Sequence, residues 1–459
     1  MPASHHLILN AFTMNTVGHL SPGSWRNPRD QSRRYTDLTY WTELARTLER
    51  GLIDAVFLAD VLGVYDVYGA SRDPAVRTGA QLPVNDPLQL VPAMAAVTEH
   101  LGFGITSSVS FEHPYPFARR MSTLDHLTRG RVGWNVVTSY LASGALSLGV
   151  SGQVAHDRRY DIADEYLEVC YKLWERSWED DAVRADAAAG VYADPARVHA
   201  IGHEGEFFRV PGIHLSEPSP QRTPLIYQAG ASPRGRRFAA RHAESVFTAA
   251  PSKAVLAAQV AGLRTALQEA GRDPHAVSVL NQQTVVVAET DAQAQRLWSD
   301  YLEYASPEGA LTLLSGWMGI DLATLGADEP LTDQHSEAIQ TTVKAFSSAD
   351  PTRRWTAREL ADFARIGGDG PVFVGSPTTV ADQLEDWAEQ TGVDGFNLAA
   401  AVVPDTFEQV VDLLVPELQR RDRYKRAYAP GTLRDKLTGK GARVADDHAA
   451  AHVTIPARA

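Results

Sequence analysis

Eight short β-forming runs, each followed by a helical stretch, most constrain what this chain can fold into. The runs are Leu7–Phe12, Ala55–Asp60, Gly104–Ser110, Val132–Thr138, Pro224–Gly230, Ser245–Ala249, Ser278–Val287 and Asp394–Ala400. Between them apolar residues recur at helical spacing. Trp41, Leu44, Ala45 and Leu48 share one face, and another helix carries Arg119, Met121, Leu124 and Leu127. Ala163, Leu167, Cys170 and Trp174 line a longer helix over Arg158–Trp174. Further helices are expected at about 233–243, 254–271, 290–304, 376–390 and 406–420. Strands that alternate with helices pair in parallel and are covered on both faces. Eight such units favour a closed (β/α)8 barrel, an α/β fold, over an open sheet.

The 459 residues exceed the roughly 250 of an ordinary barrel. We therefore expect one barrel domain over 1–420 with insertions at about 61–87, 182–223 and 306–371, followed by a C-terminal extension over 421–459. Long insertions of this kind act as lids or binding loops, and Ser306–Pro371 is the candidate lid. The tail from Arg421 is charged and is expected to wrap the surface or reach a neighbouring subunit.

Composition excludes several classes. A formal net charge of −13 argues against nucleic acid or an anionic membrane as partner. The lone Cys170 rules out an intrachain disulfide or a cysteine metal cluster, and on an apolar helix face it reads as core. The start, MPASHHLILNAF, lacks the basic and long apolar regions of a signal peptide, and no run reaches the ~20 residues of a membrane span. A cytoplasmic enzyme is expected.

Chemistry in such a barrel sits where strands end. Asp60 closes an apolar strand, either as a site carboxylate or as a helix cap. Thr106, Ser107 and Ser108 end the third strand, where their hydroxyls could bond a polar ring or one another. Asn135 lies within the apolar strand WNVVTS, so its amide needs partners, from a heterocycle edge or from backbone. His156 and Tyr160 open the next helix with Arg158 and Arg159 nearby. That is either an anion site or a solvated helix start. The small-residue turn Gln228–Gly235 feeds a helix and can offer backbone N–H groups to a phosphate. No Gly-x-Gly-x-x-Gly follows a strand, so a nicotinamide site is not indicated. His113, His126, His199, His203 and His214 lack HExxH spacing, and no metal site is expected, although a metal hydrolase is an alternative on this barrel.

The segments LERGLIDAVFLAD, MAAVTEHLGFGITSS, RRMSTLDHLTRGRVGWNVVTS, HDRRYDIADEYLEVCYKLW, QAGASPRGRRFAARHAE and VDGFNLA run co-linearly along the chain. Together they resemble the bacterial-luciferase-like flavin monooxygenases. The likeness is to the subfamily of nitrilotriacetate and dibenzothiophene-sulfone monooxygenases and pristinamycin synthase. Within it, NAFTMNTVGH, ADVLGVYDVYG and PVNDPL look closest to the dimethyl sulfide and long-chain alkane monooxygenases.

The resemblance implies a luciferase-type TIM barrel that takes FMNH2 from a separate NAD(P)H:flavin reductase, with O2 as co-substrate. A flavin peroxide would then oxygenate a small apolar or organosulfur compound. It implies that Asp60, Thr106 and Asn135 line the isoalloxazine and that His156 lies near it. Tyr160, Ala231 and Ser232 would hold the phosphate. Ala231 stands where the family often has a hydroxyl. The implied substrate pocket is Thr16, His19, Tyr65, Gln81 and Tyr140, with His19 or His156 as the proton-handling residue. The alkane branch has Cys and His at the positions of Thr16 and Tyr140, and a His within the stretch that is here Ala310–Leu314. These departures separate this chain from that branch. A homodimer or homotetramer is implied. The alternatives are the same chemistry on a sulfone or aminopolycarboxylate, and a non-catalytic flavin-binding barrel.

Overall fold

The computed structural model describes residues 6–150, 152–332, 338–349 and 353–456. Its core is a closed ring of eight parallel strands, one in each expected run. They are β1 (Ile8–Met14), β2 (Ala55–Ala59), β3 (Gly102–Ser108), β4 (Val132–Val137), β5 (Leu225–Gln228), β6 (Ser245–Thr248), β7 (Ser278–Val287) and β8 (Gly395–Ala399). Neighbours pair in the order β1-β2-β3-β4-β5-β6-β7-β8, and β8 returns to β1 with Ile8 opposite Gly395. The apolar runs are buried on both faces, as parallel strands covered by helices must be.

A short strand absent from the expectation, Val372–Gly375, pairs with Thr284–Val287 at the end of β7. By that point β6 has already ended, its pairing with β7 reaching only Asn281. The ten-residue β7 therefore has a free edge, and the segment following the 306–371 insertion fills it.

The insertions differ in use. Residues 182–223 form two small antiparallel ribbons, Val183–Asp186 with Val191–Ala193 and His203–Glu204 with Arg209–Val210. They stand away from the site described below. Residues 61–87 and 306–371 both reach it. The second carries the helices Pro307–Met318, Gln340–Ser347 and Ala357–Ala364.

The tail does more than wrap the surface. Leu433 enters where β3 begins, close against Gly102, and the Tyr424 hydroxyl donates to Leu52 O at 2.7 Å just ahead of β2. Arg434 is buried against Glu244, with Nε donating to Oε1 at 2.6 Å and a terminal nitrogen to Oε2 at 2.9 Å. The tail thus closes the end of the barrel opposite the site, using charge in pairs rather than in solvent. Among the described residues, no helix is long and apolar enough to cross a membrane.

Candidate active site

Two adjoining chambers open at the C-terminal ends of the strands. The inner one, about 210 Å³, is lined mostly by apolar side chains. Phe12, Phe57 and Phe247 form its aromatic wall, with ring centroids 4.9 to 5.7 Å apart. The outer one, about 190 Å³, runs to the start of the helix Pro233–His242 and is lined by Arg159, Tyr160, Gln228 and the turn Ala229–Ser232. Asp60, Thr106, Tyr140 and Ala231 face both chambers, so the two form one elongated site with an apolar end and a polar end.

Polar groups gather at the strand ends. Asn135 Nδ2 donates to Thr106 Oγ1 at 3.0 Å across the β3–β4 pair. Its Oδ1 is buried and finds no donor among the described residues, although a buried acceptor needs one. Asp60 has no helix behind it, so it is not a cap. Burial, and then the nearby Asp86, push its carboxyl up to about 7, against a hydrogen bond from the Val61 amide. An acid whose pKa is higher folded than unfolded binds its proton more tightly in the native state. Native stability then falls as pH rises from about 4 through about 7. Asp60→Asn removes that penalty. Its thermal midpoint should rise above wild type at pH 8 and converge on it near pH 4; a gain that does not depend on pH would contradict the assignment.

At the polar end, the helix His156–Tyr171 begins two residues before the Arg158 start expected from its sequence pattern, so His156 and Tyr160 share its first turns. His156 Nδ1 lies 2.7 Å from Asp157 Oδ1, and Nε2 lies 3.5 Å from Ser232 Oγ. Ser232 caps the helix Pro233–His242, accepting from Gly235 N at 3.0 Å. A Cβ on Gly230 would stand 2.4 Å from the Tyr160 hydroxyl, and one on Gly235 2.9 Å. The two glycines therefore hold open a cradle of backbone N–H, hydroxyl and helix terminus. The two arginines of this turn separate. Arg158 pairs outward with Glu206 and Asp161, while Arg159 is buried beside the outer chamber.

The remaining candidates sort differently. Gln81, held at a φ of 51°, donates through Nε2 to His19 O at 2.9 Å and accepts from the Tyr65 hydroxyl at 2.8 Å. Tyr65 spends its single proton there, so the Tyr140 hydroxyl, 2.5 Å away, donates to it, as does Trp317 Nε1 at 3.0 Å. Tyr140 and Gln81 face the inner chamber, while Tyr65 stands behind them and positions both. Thr16 lines neither chamber. Its hydroxyl is committed to Pro83 O at 2.6 Å. His19 packs edge-on against Phe12, and burial lowers its pKa to about 3 in spite of a hydrogen bond to the Phe12 backbone. At neutral pH it is uncharged and cannot deliver a proton as an imidazolium.

Strand-end reasoning also missed lining residues. Gln282 sits in a polar triplet inside the buried β7, the same signal that singled out Asn135. Trp317, Ile339, Thr341 and Asp369 come from the 306–371 insertion, whose helices carry no strand-end rule. Among the described residues no three His, Cys, Asp or Glu side chains converge as a metal set.

A barrel whose strand ends open on an apolar chamber with a buried, unsatisfied acceptor, continued by a polar chamber at a helix start, has the shape and chemistry of a cofactor-dependent enzyme site. A family model, luciferase-like monooxygenase, matches residues 14–395. The dimethyl-sulfide monooxygenase of Hyphomicrobium sulfonivorans is 50% identical over 97% of this chain and 93% of its own. The long-chain alkane monooxygenase of Geobacillus thermodenitrificans strain NG80-2 is 49% identical over 96% and 97%. A crystal structure of riboflavin lyase with modified FMN and riboflavin superposes with a TM-score of 0.92 at 36% identity, covering 98% of this chain and all of the other. The chain belongs to the luciferase-like monooxygenase family, and it is a flavin-dependent monooxygenase.

Proposed function

We propose that this chain is the oxygenase of a two-component system. Reduced FMN arrives from a separate NAD(P)H:flavin reductase, and one atom of O2 is placed on a small apolar or organosulfur substrate. The observation that carries the reading is the pairing of the unsatisfied Asn135 Oδ1 with the Gly230–Tyr160 cradle, at the two ends of one elongated site.

The residues present suit FMN. Asn135 Oδ1 offers an acceptor to a ring N–H, with Thr106 fixing the amide and Asp60 beside it. Tyr160, Ser232, the backbone at Ala231 and the terminus of the helix Pro233–His242 would take the phosphate. Without a hydroxyl at Ala231, the backbone N–H carries that contact. His156 stands next to Ser232, and the Arg159 charge supports the anionic end. When bound, reduced FMN supplies the electrons that activate O2. The protein's part is to orient the substrate and exclude water, which the Phe12, Phe57 and Phe247 wall and the 306–371 insertion do as wall and lid. His19 acts as a neutral hydrogen-bonding ring, and His156 is the better candidate for moving a proton.

No Lys or Arg lines the inner chamber among the described residues, which weighs against an aminopolycarboxylate substrate. Exposed Leu146, Leu148, Val150 and Val154 lie between Tyr140 and His156 in sequence and suit contact with a second copy in a dimer or tetramer.

The test is a panel of sulfides, sulfones, alkanes and aminopolycarboxylates with FMN, NADH, O2 and a generic flavin reductase. Oxygenated product from a sulfide or alkane, dependent on the chain and on the reductase, is expected. Failure of reduced FMN to bind saturably would sink the assignment. Saturable binding without product from any compound would favour a non-catalytic flavin carrier.

A further inference from the structure

We propose that Asp369 selects among the small apolar and organosulfur compounds the inner chamber admits, favouring one whose apolar body carries an ammonium or similar cationic group. This rests on reading the inner chamber as the substrate end of the site.

Asp369 sits in the turn Ile366–Pro371, at the end of the lid insertion, and lines the inner chamber alone of the two. The turn is built to deliver it. Gly367 and Gly368 have φ of 91° and 68°, which a side chain would strain. Gly367 N donates to Leu20 O at 3.0 Å, and Gln282 Nε2 donates to Gly367 O at 2.6 Å. A Cβ on Gly367 would strike Thr284 Oγ1 at 2.9 Å, and one on Gly368 would meet Trp317 at 3.1 Å. Strand β7, the β1 loop and the lid helix thus clamp the turn from three sides.

The carboxylate delivered this way has no side-chain partner among the described residues. Among the described residues its one hydrogen bond comes from its own backbone N–H. The surrounding walls are mostly apolar, from Phe, Leu, Met, Ile and Trp side chains, with neutral amides and hydroxyls such as Gln81, Gln282 and Thr342 between them. No Lys or Arg shares the chamber among the described residues, and His19, also facing it, is neutral. Charge is therefore divided along the site: the buried cation Arg159 stands at the polar end, and Asp369, with Asp60 at the junction, supplies carboxyls at the substrate end. A purely hydrocarbon guest would strip water from Asp369 without replacing it and so bind more weakly, and an anionic guest would be repelled. A cationic group restores the lost solvation with a charge-assisted hydrogen bond.

Calorimetric titration of the chain, with and without saturating FMN, by hexylammonium, hexan-1-ol and hexanoate tests this without requiring turnover. Hexylammonium should bind about 30-fold tighter than either isostere, the scale of a buried charge left unpaired. Asp369→Asn and Asp369→Leu should abolish that preference while their FMN titration matches wild type. Equal binding of the three ligands by wild type would overturn the proposal, as would a preference that survives in both variants. Loss of saturable FMN binding would instead strike the oxygenase reading and leave the hexylammonium comparison to be judged by itself.

Discussion

Gly230→Val should weaken FMN binding by about 5- to 150-fold, the range that ~1–3 kcal/mol of overpacking produces at tenfold per 1.4 kcal/mol. Gly230 lies two residues past the end of β5, and it is not among the residues or glycines with positive φ. Valine would therefore meet no backbone objection, and the effect would come from the side chain alone. Its Cβ would stand 2.4 Å from the Tyr160 hydroxyl and 2.4 Å from Gln228 Nε2. The Gln228 amide can swing aside, but Tyr160 is buried on a long helix and cannot retreat without moving that helix's first turn. On the other side, the turn is held by Ser232, which caps the next helix through Gly235 N. The hydroxyl is thus driven out of the space reserved for the anionic end of the ligand. Gly230→Ala should show the smaller loss. The check is a fluorescence titration of FMN beside a thermal melt. Unchanged affinity in the valine variant would mean that the cradle is not where the phosphate binds.

How far such a site can be read from sequence depends on whether its parts are local. The eight strands were legible because each is a buried run bounded by a helix pattern, and the barrel follows from their number. Asp60, Thr106 and Asn135 were legible for the same reason, since a polar residue at the end of an apolar strand has few other uses. His156 and Tyr160 could be placed at a helix start, but only the structure separates buried Arg159 from solvent-facing Arg158, because helical phase at a frayed first turn is ambiguous. Thr16 failed as a pocket residue for a non-local reason. The Pro83 carbonyl that takes its hydroxyl lies 67 residues away. Asp369 was invisible because a Gly-Gly-Asp-Gly turn reads as a generic loop until β7 is seen to clamp it. The same holds for Arg434, whose charge suggested surface while its partner lay 190 residues earlier.

Arg434→Met should cost about 3–5 kcal/mol of folding stability, the penalty for leaving one member of a buried ion pair behind. Arg434 is 1% exposed and Glu244 7%. Besides both Glu244 oxygens, the guanidinium donates to Ala442 O at 2.7 Å within the tail and to Thr223 O at 2.9 Å, joining the tail to the segment just before β5. Glu244 Oε2 in turn accepts from Ile226 N at 3.0 Å. Burial alone would raise the Glu244 carboxyl, but Arg434 reverses this and holds it below the ordinary carboxylate value. In wild type the pair's contribution is therefore present above an unfolded pKa of about 4.5 and is lost as pH falls through the lower folded value. With Arg434 gone, burial is opposed only by the Ile226 amide and the neighbouring His448, so an ionised Glu244 becomes a growing liability as pH rises. The deficit of Arg434→Met, measured by urea unfolding, should be small near pH 4 and largest above pH 7. Arg434→Met with Glu244→Gln removes the stranded charge, and its carbonyl can still accept from Ile226 N. The double variant should therefore recover a large part of the loss at pH 7.5 and flatten the pH dependence. A single variant within about 1 kcal/mol of wild type at that pH, where exposed pairs fall, would mean that the tail does not hold the barrel shut through this pair.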